Sequence, residues 1–262
     1  MSTIALAARD SATMTRRHFR HALRYPATLI LALGVPTLLL LLFVGVLGGA
    51  LASGIRGPHA AGSYIDYVVP GILLMAVGYG ASTTALGINS DMTAGVIARF
   101  RTMAIARSSI LVGPVVGALV RTVVSLGVLL GVAFLIGYRP DAGLLAWLGA
   151  VGVMLLLALA LSWLAVAVGL LAKTTQGINP FVLIIQTLPF VSSAFVPPDS
   201  MSDVVRWIAQ YEPFTPVIDT LRGLLLGLPI GGSGLAAIGW CVGLSVAGFV
   251  WSLLLFRRDP NR

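Results

Sequence analysis

Charge is what this sequence has least of. Of its 262 residues, 10% are charged and 58% are hydrophobic, where a soluble domain carries about 25% charged residues. Mean hydropathy is +0.98. So little charge cannot cover a water-facing globule of this size. That excludes a soluble enzyme, a nucleic-acid module and a disordered regulator, and it leaves lipid as the main surroundings. Lysine is nearly missing: Lys173 is the only one, so sixteen of the 17 basic residues are Arg. Cysteine is missing but for Cys241, which excludes an intrachain disulfide. His18, His21 and His59 offer no zinc-type spacing, and Arg residues surround the first two. No serine lies in a G-x-S-x-G turn. No phosphate-cradling G-x-x-x-x-G-K-[ST] occurs, because Ala167 and Ala172 stand where glycines are needed before Lys173-Thr174. The chain is therefore expected to be no enzyme, with no catalytic, metal or cofactor site of its own.

What is present is apolar sequence in long runs. Residues 25–55, 67–90, 122–138, 142–172, 174–198 and 223–256 contain no charge, and a membrane helix needs about 20 apolar residues. The sequence predicts an all-α polytopic membrane protein with six transmembrane helices. They cover about 27–49, 67–89, 116–137, 144–171, 178–196 and 235–256, within one domain over 1–262. The apolar run after Pro26 is too long for a signal-peptide core of about 7–15 residues, so the first helix is expected to be retained.

The formal net charge of +8 reports orientation. With the N-terminus placed in the cytoplasm, twelve basic residues fall inside: Arg9, Arg16, Arg17, Arg20, Arg24, Arg99, Arg101, Arg107, Lys173, Arg257, Arg258 and Arg262. Four fall outside: Arg56, Arg139, Arg206 and Arg222. The positive-inside rule then places both termini in the cytoplasm.

Residues 11–25 carry Arg16, Arg20 and Arg24 on one helical face, with Phe19 and Leu23 beside it. This suits an interfacial amphipathic helix, or an ordinary basic flank. Between Pro197 and Gly234 lie two apolar segments, 201–211 and 216–226, each about 16 Å long as a helix and too short to span. They read as short re-entrant helices dipping into the outer leaflet. Asp219 and Arg222, three apart, can pair on the second of them.

Ionisable groups inside a membrane are the default functional candidates. Here only Arg121 falls within a predicted span, near its cytoplasmic end, where it either snorkels to the interface or joins a pathway. A proton-coupled carrier lacks its titrating group. Milder polar residues remain. Asn89 on the second span, and Gln186, Phe190, Ser192 and Ser193 on the fifth, either line a substrate pathway or hydrogen-bond between helices. Pro180 and Pro189 make the fifth backbone irregular, which suits a helix beside a cavity. The glycine pairs 45/49, 113/117, 127/131 and 239/243 read as helix-packing contacts. The loop 90–109, with Asp91, Gly95, Arg99, Phe100, Arg101 and Arg107, reads either as a basic inside loop or as a docking element.

Two stretches resemble the permease subunit of ABC type-2 exporters, in the branch of the daunorubicin-resistance permeases. One runs from Asp91 to Arg107 and on through Gly113 to Arg139. The other runs from Pro189 through Pro197-Pro198-Asp199 and Glu212-Pro213-Phe214-Thr215-Pro216 to Leu221-Arg222-Gly223. Asp91 stands where many relatives carry Glu, and Ala104 where they carry Pro. The resemblance implies a permease that exports a hydrophobic or amphipathic substrate, such as a drug, an antibiotic or a lipid-like molecule, across the bacterial plasma membrane. It implies a second permease copy and a cytoplasmic dimer of separate ATPase subunits, which hold the ATP and Mg; nucleic acid has no part. Coupling to the ATPase is expected at Asp91, Gly95, Arg99, Phe100 and Arg101, with Arg16 and Arg20. The pathway is expected at Gln186, Phe190, Ser192, Ser193 and Asn89. Export of a lipid or envelope glycan is the nearest alternative, and a stand-alone secondary carrier a more distant one.

Overall fold

The computed structural model describes residues 26–46, 48–49, 63–94 and 107–258. The expected helix at 11–25, with Arg16 and Arg20, lies outside the described residues. So do Gly95, Arg99, Phe100 and Arg101. Most of the described residues are helical, and there is no strand among them.

Helix α1 spans Pro26–Leu41 and continues as a π-type turn over Leu42–Val46. Helix α2 covers Tyr64–Thr93, α3 Arg107–Leu135 and α4 Leu144–Leu171. A 3-10 turn over Thr175–Ile178 leads into α5, Asn179–Val191. Two short helices follow, α6 at Asp203–Tyr211 and α7 at Phe214–Leu226, and then α8 at Ser233–Arg258. Four of these, α2, α3, α4 and α8, are long and apolar enough to cross a membrane.

Helix starts and stops follow local chemistry. A capping box opens α2: Ser63 Oγ accepts from the Ile65 amide at 3.3 Å, and Asp66 Oδ2 accepts from the Ser63 amide at 2.9 Å. The predicted second span began only at 67, because Asp66 looked like a boundary. It is instead part of the helix start. Gly227, at φ +68°, closes α7 in the left-handed conformation that favours glycine.

The fifth span differs most from expectation. A helix through 196 was predicted, but α5 stops at Val191 after 13 residues, or about 20 Å. A hydrocarbon core is about 30 Å thick. Ser192 turns extended, its hydroxyl donates to the Pro189 carbonyl at 2.7 Å, and its oxygen accepts from the Ala194 amide at 3.2 Å. A side chain has replaced the next helical turn, leaving several backbone carbonyls of this segment in need of donors.

Helix α2 lies at the centre, packed against α1, α3, α4, α5 and α7, while α8 packs on α4 and α7. Three glycines allow close approaches between separate segments. A Cβ on Gly169 of α4 would stand 2.8 Å from the Ala85 carbonyl of α2. One on Gly248 of α8 would stand 2.8 Å from the Leu164 nitrogen of α4. One on Gly71 of α2 would stand 2.6 Å from Ala194 Cβ. Three of the four glycine pairs picked out by spacing do not do this work. Gly45, Gly49, Gly127, Gly131, Gly239 and Gly243 have nothing within 4 Å of an added Cβ. Spacing alone does not tell a packed glycine from one on an outer face.

Candidate functional site: a buried arginine fork

Arg222, on α7, is 4% exposed. Its guanidinium reaches the unpaired carbonyls left where α5 ends. Nη2 donates to the Ser193 carbonyl at 2.6 Å and the Ala194 carbonyl at 3.1 Å. Nη2 and Nε also donate to the Tyr67 carbonyl of α2, at 3.0 and 3.2 Å. Nη1 lies 3.3 Å from Asp219 Oδ1, one helical turn back. The guanidinium carbon stands 3.6 Å from the centroid of the Tyr67 ring, a cation–π contact. A planar fork with several fixed donors is suited to bind carbonyls on separate segments, which an ammonium cannot do.

A second layer of hydrogen bonds holds this one in place. The Tyr67 hydroxyl donates to the Ser193 carbonyl at 3.0 Å, and the Ser193 hydroxyl donates to Asp219 Oδ1 at 2.9 Å. The Ser193 amide donates to Thr215 Oγ1 at 3.1 Å. The Thr215 amide and hydroxyl both donate to Glu212 Oε1, at 2.8 and 2.9 Å. Glu212 thereby caps the first turn of α7. Its Oε2 is buried with no hydrogen-bond partner. Burial pushes the Glu212 carboxyl up to about 7, against the downward pull of the Thr215 hydrogen bonds. For Arg222, burial lowers the pKa, and Asp219 acts against that.

The network joins three elements: α2, the segment after α5, and α7. What it can do physically is couple their positions, because moving α7 away from α2 exposes a desolvated charge and several bare carbonyls together.

The sequence-selected residues divide around it. Ser192, Ser193, Asp219 and Arg222 come together here. The hydroxyls of Ser192 and Ser193 are spent within the framework, and both residues are buried. Phe190 is nearby and exposed, stacked on Phe195 at 5.1 Å, which in turn stacks on Phe43 at 4.3 Å. Gln186 is half-buried on α5. Asn89 is elsewhere, towards the other end of α2, about 33 Å along the axis from Tyr67. It is fully buried, and its Nδ2 donates to the Ala172 carbonyl at 2.6 Å, tying α2 to the end of α4. Asp91 is half-buried near the last turn of α2. Arg121 is the middle residue of α3, which begins nine residues before the predicted start at 116.

Sequence reasoning missed Tyr67, and it quoted Glu212 and Thr215 within the family motif without giving them a role. A local signal existed for the last two, an acid three residues before a Thr at a helix start. Nothing local marked Tyr67, which is 155 residues from Arg222.

With this geometry in hand, comparison with known proteins is direct. Residues 10–226 match the family model described as ABC-2 type transporter. The chain belongs to the ABC-2 type transporter family. The matched region contains the whole fork and ends at the last residue of α7. The chain is similar to the daunorubicin resistance ABC transporter permease protein DrrB1 of Streptomyces coeruleorubidus, 29% identical over 210 residues, which is 80% of this chain and 71% of the relative. It is also similar to the probable doxorubicin resistance ABC transporter permease protein DrrC of Mycobacterium tuberculosis (strain CDC 1551 / Oshkosh). That match is 26% identical over 231 residues, covering 88% of this chain and 82% of the relative. As an ABC-2 permease, the chain is a membrane-integral transport subunit of the bacterial plasma membrane and not itself a catalyst. The family implies an ABC transporter completed by an ATPase partner.

Proposed function

We propose that this chain is the permease half of an ATP-driven exporter that moves a hydrophobic or amphipathic drug out of the cell. The observation that carries the reading is the match to the ABC-2 family over 10–226, with relatives named as drug-resistance permeases. Two copies enclose the pathway, and two separate ATPase subunits supply the energy and hold the nucleotide and magnesium. Both termini are cytoplasmic, on the strength of twelve basic residues against four. ATPase closure pushes the 11–25 segment, through Arg16 and Arg20. It also pushes the loop after α2, through Asp91, Gly95, Arg99, Phe100 and Arg101. The motion travels along α2, which carries Asn89 at one end and Tyr67 at the other. Arg222 and Asp219 pass it to the short helices on the outer side. Gln186 and Phe190 on α5 face the substrate, while Ser192 and Ser193 shape the wall behind them.

The test is export from proteoliposomes containing the chain and its cognate ATPase. Doxorubicin is expected to accumulate on ATP addition, and the double variant Arg99→Glu, Arg101→Glu is expected to abolish ATPase stimulation. Transport by the chain alone, driven by an ion gradient, would overturn the reading in favour of a secondary carrier.

A further inference from the structure

Three phenyl rings form a column where the turn after α1 meets the segment after α5. Phe43 and Phe195 are near-parallel, with centroids 4.3 Å apart and planes 19° apart. Phe195 and Phe190 follow at 5.1 Å and 22°. The chain builds this column by breaking α5. Phe190 belongs to the last turn of the helix, and Ser192, being extended, turns the backbone so that Phe195 comes back against it. The Ser193 and Ala194 carbonyls, held by Arg222, fix the residues just before Phe195. Phe43 stands on the π-type turn Leu42–Val46, a form that is rare and frequent at functional sites.

The column is closed at its middle and open at one end. Phe195 is 6% exposed and Phe190 48%. One face of the Phe190 ring is taken by Phe195, so the exposure belongs to its other side. Leu183, Ile184 and Thr187 lie on the same outward side of α5, within the two turns before Phe190, and all three are exposed. The open ring therefore ends a run of exposed helix surface that is otherwise aliphatic but for one hydroxyl.

A ring selects its neighbour in a way that Leu183 and Ile184 do not. Aromatic pairs contribute beyond the area they bury, through their quadrupoles, and they favour an offset, near-parallel partner. An acyl chain gains only the burial. A ring already held in place by two others also has little freedom left to lose when a further ring meets it, and such preorganisation favours binding. We propose that Phe190, held by Phe195 and Phe43, is the stacking platform for a flat, fused-ring aromatic ligand. The inference rests on the reading of Phe190 as a substrate-facing residue, and it adds the shape and chemistry of what that residue takes.

The test measures binding to the full-length permease in phosphatidylcholine nanodiscs, with empty nanodiscs subtracted. Radiolabelled anthracenemethanol and its perhydro counterpart serve as probes, alike in skeleton and hydroxyl and different in flatness. The parent is expected to favour anthracenemethanol. Phe190→Leu, which keeps an apolar side chain, is expected to weaken that probe about two- to tenfold, the worth of one aromatic pair, and to leave the perhydro probe unchanged. Phe190→Trp, which keeps a flat ring, is expected to retain the affinity and so separates ring loss from misfolding. Equal anthracenemethanol binding by parent and Phe190→Leu would overturn the proposal. Equal binding of both probes by the parent would also overturn it, by making the surface one for lipid chains. Loss of anthracenemethanol binding when discs hold two copies instead of one would do the same, by giving the ring to the second copy. Binding needs neither ATP nor the ATPase. Binding that ignores Phe190 while export persists refutes the platform alone, and failed export with ring-dependent binding intact refutes the export reading alone.

Discussion

Replacing Arg222 by alanine should be among the most damaging single changes to this fold. The substitution strips donors from the Tyr67, Ser193 and Ala194 carbonyls, removes the cation above the Tyr67 ring, and leaves Asp219 unpaired. Stripping a donor from a buried acceptor costs about 1–3 kcal/mol; with three carbonyls affected, one of them still reached by the Tyr67 hydroxyl, the total is about 3–5 kcal/mol. At about 2–4 °C per kcal/mol for a chain of this size, the melting midpoint should fall by about 6–20 °C. The protein carries its own reporter: Cys241 is the only cysteine in the sequence, is buried on α8, and reacts with a fluorogenic maleimide once the bundle opens. The loss should grade with chemistry. Arg222→Lys keeps the charge but not the fork, and should fall between parent and alanine. Asp219→Asn should cost little, about 1 kcal/mol or less, because the Asp219 side chain is 38% exposed and its charge is screened. A midpoint shift under about 2 °C for Arg222→Ala would refute the claim that the fork holds the three elements together.

Three further predictions follow from named contacts. Because burial raises Glu212 to about 7 when folded, the folded state favours its protonated form. Its contribution is full below the usual carboxylate range and is lost as pH rises to about 7. Midpoints should therefore fall across that window, and Glu212→Gln should flatten the profile; an unchanged pH profile in Glu212→Gln removes Glu212 as its source. Gly71→Ala places a Cβ 2.6 Å from Ala194 Cβ, so it should cost about 1–3 kcal/mol by overpacking and lower export, read by the maleimide melt and by vesicle transport. Gly127→Ala, with nothing within 4 Å, should leave the midpoint unchanged or raise it by helix propensity worth up to about 1 kcal/mol. A fall there would place a second copy against that face.

How much the sequence revealed depended on where charge lay. Helix α4 carries no charge from Leu144 to Leu171, and the predicted limits match the observed ones. Limits read from charge failed where a charged residue belongs inside the helix, as with Asp66 in the cap of α2 and Arg107 at the start of α3. The early end of α5 depends on the Ser192 hydroxyl turning back on Pro189, and hydropathy carries no trace of that. The Asp219–Arg222 spacing suggested a surface pair. Its burial comes from carbonyls at Tyr67 and Ser193, which only tertiary structure brings near.

The shortness of α7 has a consequence for how the protein is made. A 13-residue helix of about 20 Å is too short to be threaded across a bilayer during synthesis. Its arginine also weighs against entering lipid unaccompanied. The acceptors that make the entry favourable belong to Tyr67, Ser193 and Ala194, all earlier in the chain. Those segments must already be in place when α7 arrives. Biogenesis is thereby ordered from the N-terminal side, with the hairpin of short helices sealing the bundle as a late step and Arg222 acting as the check that the earlier helices have come together.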